Sequence, residues 1–231
     1  MTIHYQNKIY QLKNNRILQR DIELIKLIKK NFSNSNKLEV LDVGCGNGDL
    51  IEKLNKIFPN INFLGIDIDK NLIKKANKRK LNNCTFMTCN FINLVKKKKF
   101  DIVIASGLIS FFSDYKKPLK RLIYFLKNSK SRIFIFGRFN SSNIDVKIKI
   151  RDNTESKSWK EGFNSYSIKT ISNFLKKSRK KFHFAKFNLK SKLKESKSLT
   201  RTFTIITNKN KKIILNKANI IAEFFFLVIK N

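Results

Sequence analysis

Between residues 38 and 48 an apolar run, Leu38-Glu39-Val40-Leu41-Asp42-Val43, passes directly into Gly44-Cys45-Gly46-Asn47-Gly48, which sets three glycines at alternate positions just after an aspartate. Glycines so spaced admit positive φ, let a strand turn tightly into a helix, and leave the backbone bare toward whatever lies on it. The aspartate restricts that ligand. A pyrophosphate over the turn and the helix N-terminus would lie against the carboxylate of Asp42 and be repelled, whereas a ligand presenting a cation there is attracted.

A second carboxylate follows at a matching distance. Ile61-Asn62-Phe63-Leu64-Gly65-Ile66-Asp67-Ile68-Asp69 is another apolar run ending in an acid. It falls about 20 residues beyond the glycine turn, the usual spacing for a ribose-binding carboxylate at the tip of a second strand. Asp67 is the expected ribose ligand.

With both motifs in register the chain resembles the class I S-adenosylmethionine-dependent methyltransferases, whose first motif is Asp/Glu-x-Gly-x-Gly-x-Gly. The resemblance covers residues 38 to about 138 and implies S-adenosyl-L-methionine as cofactor, a molecule without phosphate whose ammonium and sulfonium suit Asp42. It implies that Asp42, Gly44, Cys45 and Gly46 form the glycine-turn side of the cofactor site, that Asp67 accepts both ribose hydroxyls and that Ile68 packs on the adenine. Where the family often has an acid after the third strand this chain has Asn90, whose carbonyl oxygen would accept from the adenine amino group; the competing reading is that Asn90 merely begins a polar loop. Phe91 is expected to add backbone and ring contact, and Ser106, at the end of the fourth strand, closes the set.

The formal charge of +34 invites a nucleic-acid or membrane-surface reading, since Lys and Arg outnumber Asp and Glu by 50 to 16. Codon bias competes with it. Lys 41, Ile 31, Asn 28 and Phe 21 make up over half the chain against Ala 5 and Gly 7, and lysine exceeds arginine 41 to 9. A surface selected to read phosphates would be expected to use more of the bidentate guanidinium. Against that background Asp42, Asp49, Asp67 and Asp69 gather around the two motifs, and four of the seven glycines, Gly44, Gly46, Gly48 and Gly65, fall there too.

Cys45, Cys84 and Cys89 lack zinc-site spacing and His4 and His183 make no cluster, so no metal is expected. The cysteine usage and the polar opening Met1-Thr2-Ile3-His4-Tyr5-Gln6 point to the cytoplasm. The most lipid-like stretch, Ile213 to Ile229, is interrupted by Asn216, Lys217, Asn219 and Glu223 and is too short to span a membrane as a helix.

Alternating strand and helix patterns through residue 138 predict an α/β fold: a doubly wound, mostly parallel seven-stranded sheet with a C-terminal antiparallel hairpin and an N-terminal flanking helix. One domain spans 1–231, with a helical segment at 1–36, a cofactor-binding core at 37–138, and an acceptor-side insert with sheet closure at 139–231. The flanking helix is expected over 16–30 with Ile17, Leu18, Ile22, Ile25 and Ile28 on its apolar face. The strands closing the sheet are expected at 182–189 and 201–207, after a ribbon at 144–150 and a helix capped by Ser167.

The segment Ala105-Ser106-Gly107-Leu108 departs from the Asn/Asp-Pro-Pro-aromatic signature of enzymes that methylate exocyclic amino groups of bases, and it lacks the cysteine required for cytosine carbon. No catalytic residue is assigned; Asp114, Tyr115, Glu161, Tyr166 and His183 are candidates for a base, and Trp159 and Phe163 for an acceptor wall. The expected partner is a small-molecule acceptor, with oxygen slightly favoured over nitrogen as the methylated atom. An RNA methyltransferase using the fourteen Lys and Arg of residues 176–212, and a cofactor-binding protein without turnover, remain as rivals.

Overall fold

The computed structural model describes residues 18–32, 37–94, 98–151, 153, 158–195, 201–218 and 220–231. Five parallel strands form its centre: β1 (Glu39–Val43), β2 (Asn62–Asp67), β3 (Cys84–Thr88), β4 (Ile102–Ser106) and β5 (Arg132–Asn140). Helices α1 (Gln19–Asn31), α2 (Asp49–Ile57), α3 (Lys70–Asn77) and α4 (Lys116–Tyr124) precede or connect them. Beyond β5 lie short strands β6 (Lys149–Ile150), β7 (Lys160–Glu161) and β8 (Tyr166–Ser167), helix α5 (Ile168–Lys177), and strands β9 (Lys181–Lys186), β10 (Phe203–Ile206), β11 (Lys212–Leu215) and β12 (Phe224–Lys230).

The main sheet runs β3-β2-β1-β4-β5-β12-β9, with β8 paired to the end of β5, so the order reverses between β1 and β4 and a crevice opens over their carboxyl ends. Strands β1, β4 and β5 are buried almost throughout, which is why they read as continuous apolar runs. Their side chains alternate between two cores. On one face Leu41, Val103, Ile133 and Ile135 pack beneath Leu119 and Leu122 of α4 and Ile171 and Leu175 of α5. On the other, Val40, Ile102, Ile104 and Phe134 meet Leu24, Ile25 and Ile28 of α1 and Leu50, Ile51 and Leu54 of α2.

Three expectations need correction. The strand closing the sheet against residues 181–186 is β12, which lies antiparallel between β5 and β9. Residues 203–206 instead pair with β11 in a separate hairpin. The reason is burial: Phe225 to Ile229 are buried and can fill a central position, whereas β10 is half exposed. The lipid-like stretch at 213–229 is thus two strands, and among the described residues no helix is long and apolar enough to cross a membrane. Second, α1 turns Asp21, Leu24, Ile25 and Ile28 inward and leaves Ile22 exposed, while Ile17 lies outside the described residues. Asp21 can be buried because Lys53 of α2 meets it at 2.9 Å and Arg20 at 3.2 Å. Third, the ribbon at 144–150 is strand only at β6, with Val146 bridging to Ser165.

Gly65, in the middle of β2, leaves room for three neighbours. A Cβ there would stand 2.6 Å from Phe86 Cδ1, 2.8 Å from Ile51 Cδ1 and 2.9 Å from Cys45 Sγ. Gly65→Ala is expected to destabilise the fold by about 1–3 kcal/mol through overpacking, measured by denaturant unfolding.

Candidate cofactor and acceptor site

At the carboxyl end of β1 the chain turns through Gly44, Gly46 and Gly48, whose φ angles are 76°, 57° and 81°. Side chains rarely adopt this region, so the turn requires glycine. The tip of β2 holds it. Gly44 N–H and Cys45 N–H both donate to the carbonyl of Ile66, at 2.8 and 3.1 Å. Asp67 accepts from Gly46 N–H at 2.9 Å on one oxygen and from Asp69 N–H at 2.9 Å on the other. Asp69 in turn caps α3 by accepting from Asn71 and Leu72. A brace stands behind the turn: Arg79 ion-pairs with Asp49 and Glu52 in the first turn of α2 and donates to the carbonyl of Asn47 at 2.6 Å.

Asp42 is buried at the end of β1. Burial, then the negative charge of Asp67, push its carboxyl up to about 7, with Arg20 pulling weakly the other way. The crevice therefore offers two carboxylates, one of them raised by burial so that it titrates near neutral pH. Ile68 projects beside them, 45% exposed despite its apolar side chain. Bare glycine backbone, a carboxylate pair and an exposed apolar side chain at the rim fit a ligand that is cationic at one end and has a flat apolar part at the other. That is the chemistry of S-adenosylmethionine.

The remaining expected ligands fall less evenly. Cys45 is buried, its thiol pushed up by burial and by Asp42 and Asp67. Asn90 is exposed, and its side-chain oxygen accepts from Ile92 N–H at 3.1 Å, capping a 3-10 turn over Phe91–Asn93. The Phe91 ring is buried edge-on against Phe112 at 5.8 Å, and its carbonyl accepts from Arg121. Ser106 ends β4 half-buried. The next residue, Gly107, has φ 74° and open space where a Cβ would be, so the floor beyond β4 is clear.

The candidate bases are mostly committed elsewhere. The Tyr166 hydroxyl donates to the carbonyl of Phe112, and burial, the first cause, helps push it up to about 12. Tyr115 packs on Tyr166 and Phe174, with ring centroids at 5.0 and 5.8 Å. Asp114 accepts from Lys116 N–H and starts α4. His183 lies in the middle of edge strand β9, opposite Val228, away from the strand ends that form the crevice. Glu161 is exposed in β7, and Trp159 is 61% exposed beneath Arg151. Phe163 is buried at φ 61° with its ring 5.9 Å from that of Phe111.

One residue escaped the sequence reading. Arg138, near the carboxyl end of β5, is buried under Phe163 and Phe224, and its Nη1 has no hydrogen-bond partner. The available signal was an arginine, scarce in a lysine-rich chain, inside the apolar run Ile133 to Phe139.

Because Asp42 binds its proton more tightly folded than unfolded, its contribution to stability is full below its ordinary value of 3.8 and is lost as pH rises through about 7. Asp42→Asn removes that dependence. The difference in unfolding free energy between parent and variant, measured by denaturant titration, is expected to shift in favour of the variant between pH 4 and pH 7 and to level off above.

Among known proteins, the sequence model of the methyltransferase domain family matches residues 34–219. The malonyl-[acyl-carrier protein] O-methyltransferase of Bacillus cereus is 26% identical over 117 residues, 50% of this chain and 43% of that protein. The trans-aconitate 2-methyltransferase of Afipia carboxidovorans is 30% identical over 84 residues, 36% of this chain and 32% of that protein. The chain thus spans less than half the length of these curated relatives. A solved S-adenosylmethionine-dependent methyltransferase from Clostridium acetobutylicum shares the fold with TM-score 0.60 and 17% identity, over 98% of this chain and 95% of that one. Family match, strand order and glycine turn agree: the chain belongs to the class I S-adenosylmethionine-dependent methyltransferases.

Proposed function

We propose that this chain transfers a methyl group from S-adenosylmethionine to an oxygen of a small-molecule acceptor. The observation that carries the reading is the carboxylate pair at the glycine turn, Asp42 buried at the end of β1 and Asp67 half-buried at the tip of β2 with Gly46 N–H on one oxygen. When bound, the cofactor supplies a methyl carbon on a positively charged sulfur, so an acceptor oxygen forms the new C–O bond as the C–S bond breaks. The protein's part is alignment and charge. Asp42 would face the cofactor's cationic end, and Asp67, which already accepts Gly46 and Asp69 N–H, would use its remaining lone pairs for the ribose. Ile68 would cover the adenine. Asn90 would meet its edge with the lone pair that Ile92 leaves free, and Ser106 would stand where cofactor and acceptor meet.

Oxygen as the methylated atom is supported by the two relatives, named for an O-methyl transfer to malonyl-[acyl-carrier protein] and for methylation of trans-aconitate. It is supported also by the commitments of Tyr166, Asp114 and His183, which favour an acceptor that needs no general base, as an ionised carboxylate does not. A single unit spanning 1–231, working in the cytoplasm, completes the reading. The exposed lysines of α5 and β9 supply a diffuse positive surface with no base-reading arrangement, so RNA stands second.

Calorimetry is expected to show binding of S-adenosylmethionine and S-adenosylhomocysteine but not of NAD, with affinity falling as pH drops below about 7 and Asp42 is protonated. Comparable affinity for NAD overturns the assignment. Asp67→Ala should weaken S-adenosylhomocysteine binding by about 1.5–3 kcal/mol, the range for hydrogen bonds to a charged group. Labelled methyl should pass from the cofactor into small-molecule fractions of a cell extract, and reversing the charge of Lys177, Lys180, Lys181 and Lys192 should leave that transfer nearly unchanged; its loss in a folded variant would put RNA first.

A further inference from the structure

A buried guanidinium without an anion is expensive, because the charge has left water and nothing has replaced its hydration. Arg138 is 7% exposed, makes no ion pair among the described residues, and has a buried Nη1 without a hydrogen-bond partner. Its company is aromatic: the guanidinium carbon lies 4.9 Å from the ring centre of Phe163 and 5.8 Å from that of Phe224. Ring faces attract a cation but fill none of its five donors. The neighbouring acid is already taken. Glu223, which precedes Phe224, accepts from Ser141 N–H at 3.0 Å, from Ser141 Oγ at 2.6 Å and from Lys186 at 2.8 Å, and these bonds hold its carboxyl down at about 2.

The position gives the unpaired charge a use. Arg138 lies two residues past Phe136, whose carbonyl accepts from Gly107 N–H at 2.6 Å, next to the open floor beyond β4. Strand β5 is two places from β1 in the sheet, so Arg138 sits roughly 10 Å across from the glycine turn at ordinary strand spacing. We propose that Arg138 anchors the acceptor, and that the acceptor carries a carboxylate which this guanidinium grips while another part of the molecule reaches the methyl group. The inference rests on the methyl-transfer reading above and adds the acceptor's chemical class. A carboxylate group fits better than a phosphate because the planar fork matches its two coplanar oxygens and its single charge balances the guanidinium, whereas a phosphate group concentrates nearly two charges at neutral pH. Phe163 and Phe224 keep water from the pair and strengthen it. Burial has already pulled the Arg138 guanidinium down to about 10, a cost that pairing would remove.

The test uses succinate as the carboxylate probe, succinamide as its neutral counterpart and inorganic phosphate as the rival anion. Each is titrated by calorimetry into the protein with and without S-adenosylhomocysteine. Succinate should bind at least about tenfold more tightly than either alternative, and Arg138→Met should remove that preference, as expected for loss of a charged hydrogen-bonding partner. Arg138→Lys, which keeps the charge but not the fork, should lie between. Both variants should bind S-adenosylhomocysteine within about twofold of the parent, which also reports that they fold. Equal binding of succinate and succinamide, no succinate binding by the parent, or preference for phosphate overturns the proposal. So does a tenfold loss of S-adenosylhomocysteine in Arg138→Met, which would give the guanidinium to the cofactor's own carboxylate. Failure of the parent to bind S-adenosylhomocysteine would instead strike the methyl-transfer reading, whatever succinate does.

Discussion

The tip of β2 holds the crevice together. Its last two residues gather backbone N–H groups from three segments: Gly44 and Cys45 on the carbonyl of Ile66, Gly46 and Asp69 on the carboxylate of Asp67, and Cys89 on the carbonyl of Asp67. A turn made of glycines has many conformations open to it, and these bonds select one. They also join two loops that would otherwise move separately, since the strand carrying the turn and the strand carrying the acid are neighbours in register, with Asp42 opposite Gly65. Gly65 then lets Phe86, Ile51 and Cys45 close over β2 from the side. The geometry of the site and the packing of the sheet are thus one constraint.

Much of this was legible in the sequence, for a physical reason. Strands buried on both faces must be apolar throughout, so β1, β2, β4 and β5 stand out as runs, and a turn at positive φ must be glycine, so its position is printed in the chain. Long-range choice is not printed. Residues 203–206 and 224–230 are both largely apolar, and nothing local says which one enters between β5 and β9; the deciding fact is that the latter is apolar on both faces over six residues, Phe224 to Ile229. Asp21 misled the helix periodicity because its burial depends on Lys53, thirty-two positions away. The ring of Phe91 turned inward for the same kind of reason, its partner Phe112 belonging to another loop.

Charge in this protein divides by depth. Most of the lysines are exposed and follow the bias of the whole composition, and pairs such as Lys26 with Glu23 contribute little, as solvated ion pairs do. The informative charges are the buried few. Asp21, Asp42 and Arg138 have each been taken out of water. Asp21 has its cations within the chain, whereas Asp42 and Arg138 sit on opposite sides of the β1–β4–β5 tips with complementary demands. A net charge of +34 hides this: the two informative groups at the sheet's carboxyl ends are an acid raised by burial on β1 and a guanidinium on β5 whose Nη1 has no hydrogen-bond partner.

The place of β12 sets an order of assembly. It follows β9 in sequence but lies between β5 and β9, so β9 has no strand to pair with until residues 224–230 have threaded into the gap. During synthesis from the N-terminus the five parallel strands can associate first, leaving β5 as an unpaired apolar edge while α5, β9 and the β10–β11 hairpin emerge. Such an edge is a template for pairing with other chains. Its closure depends on a strand distant in sequence, so the pairing that covers this edge carries the loop-closure cost of a non-local contact.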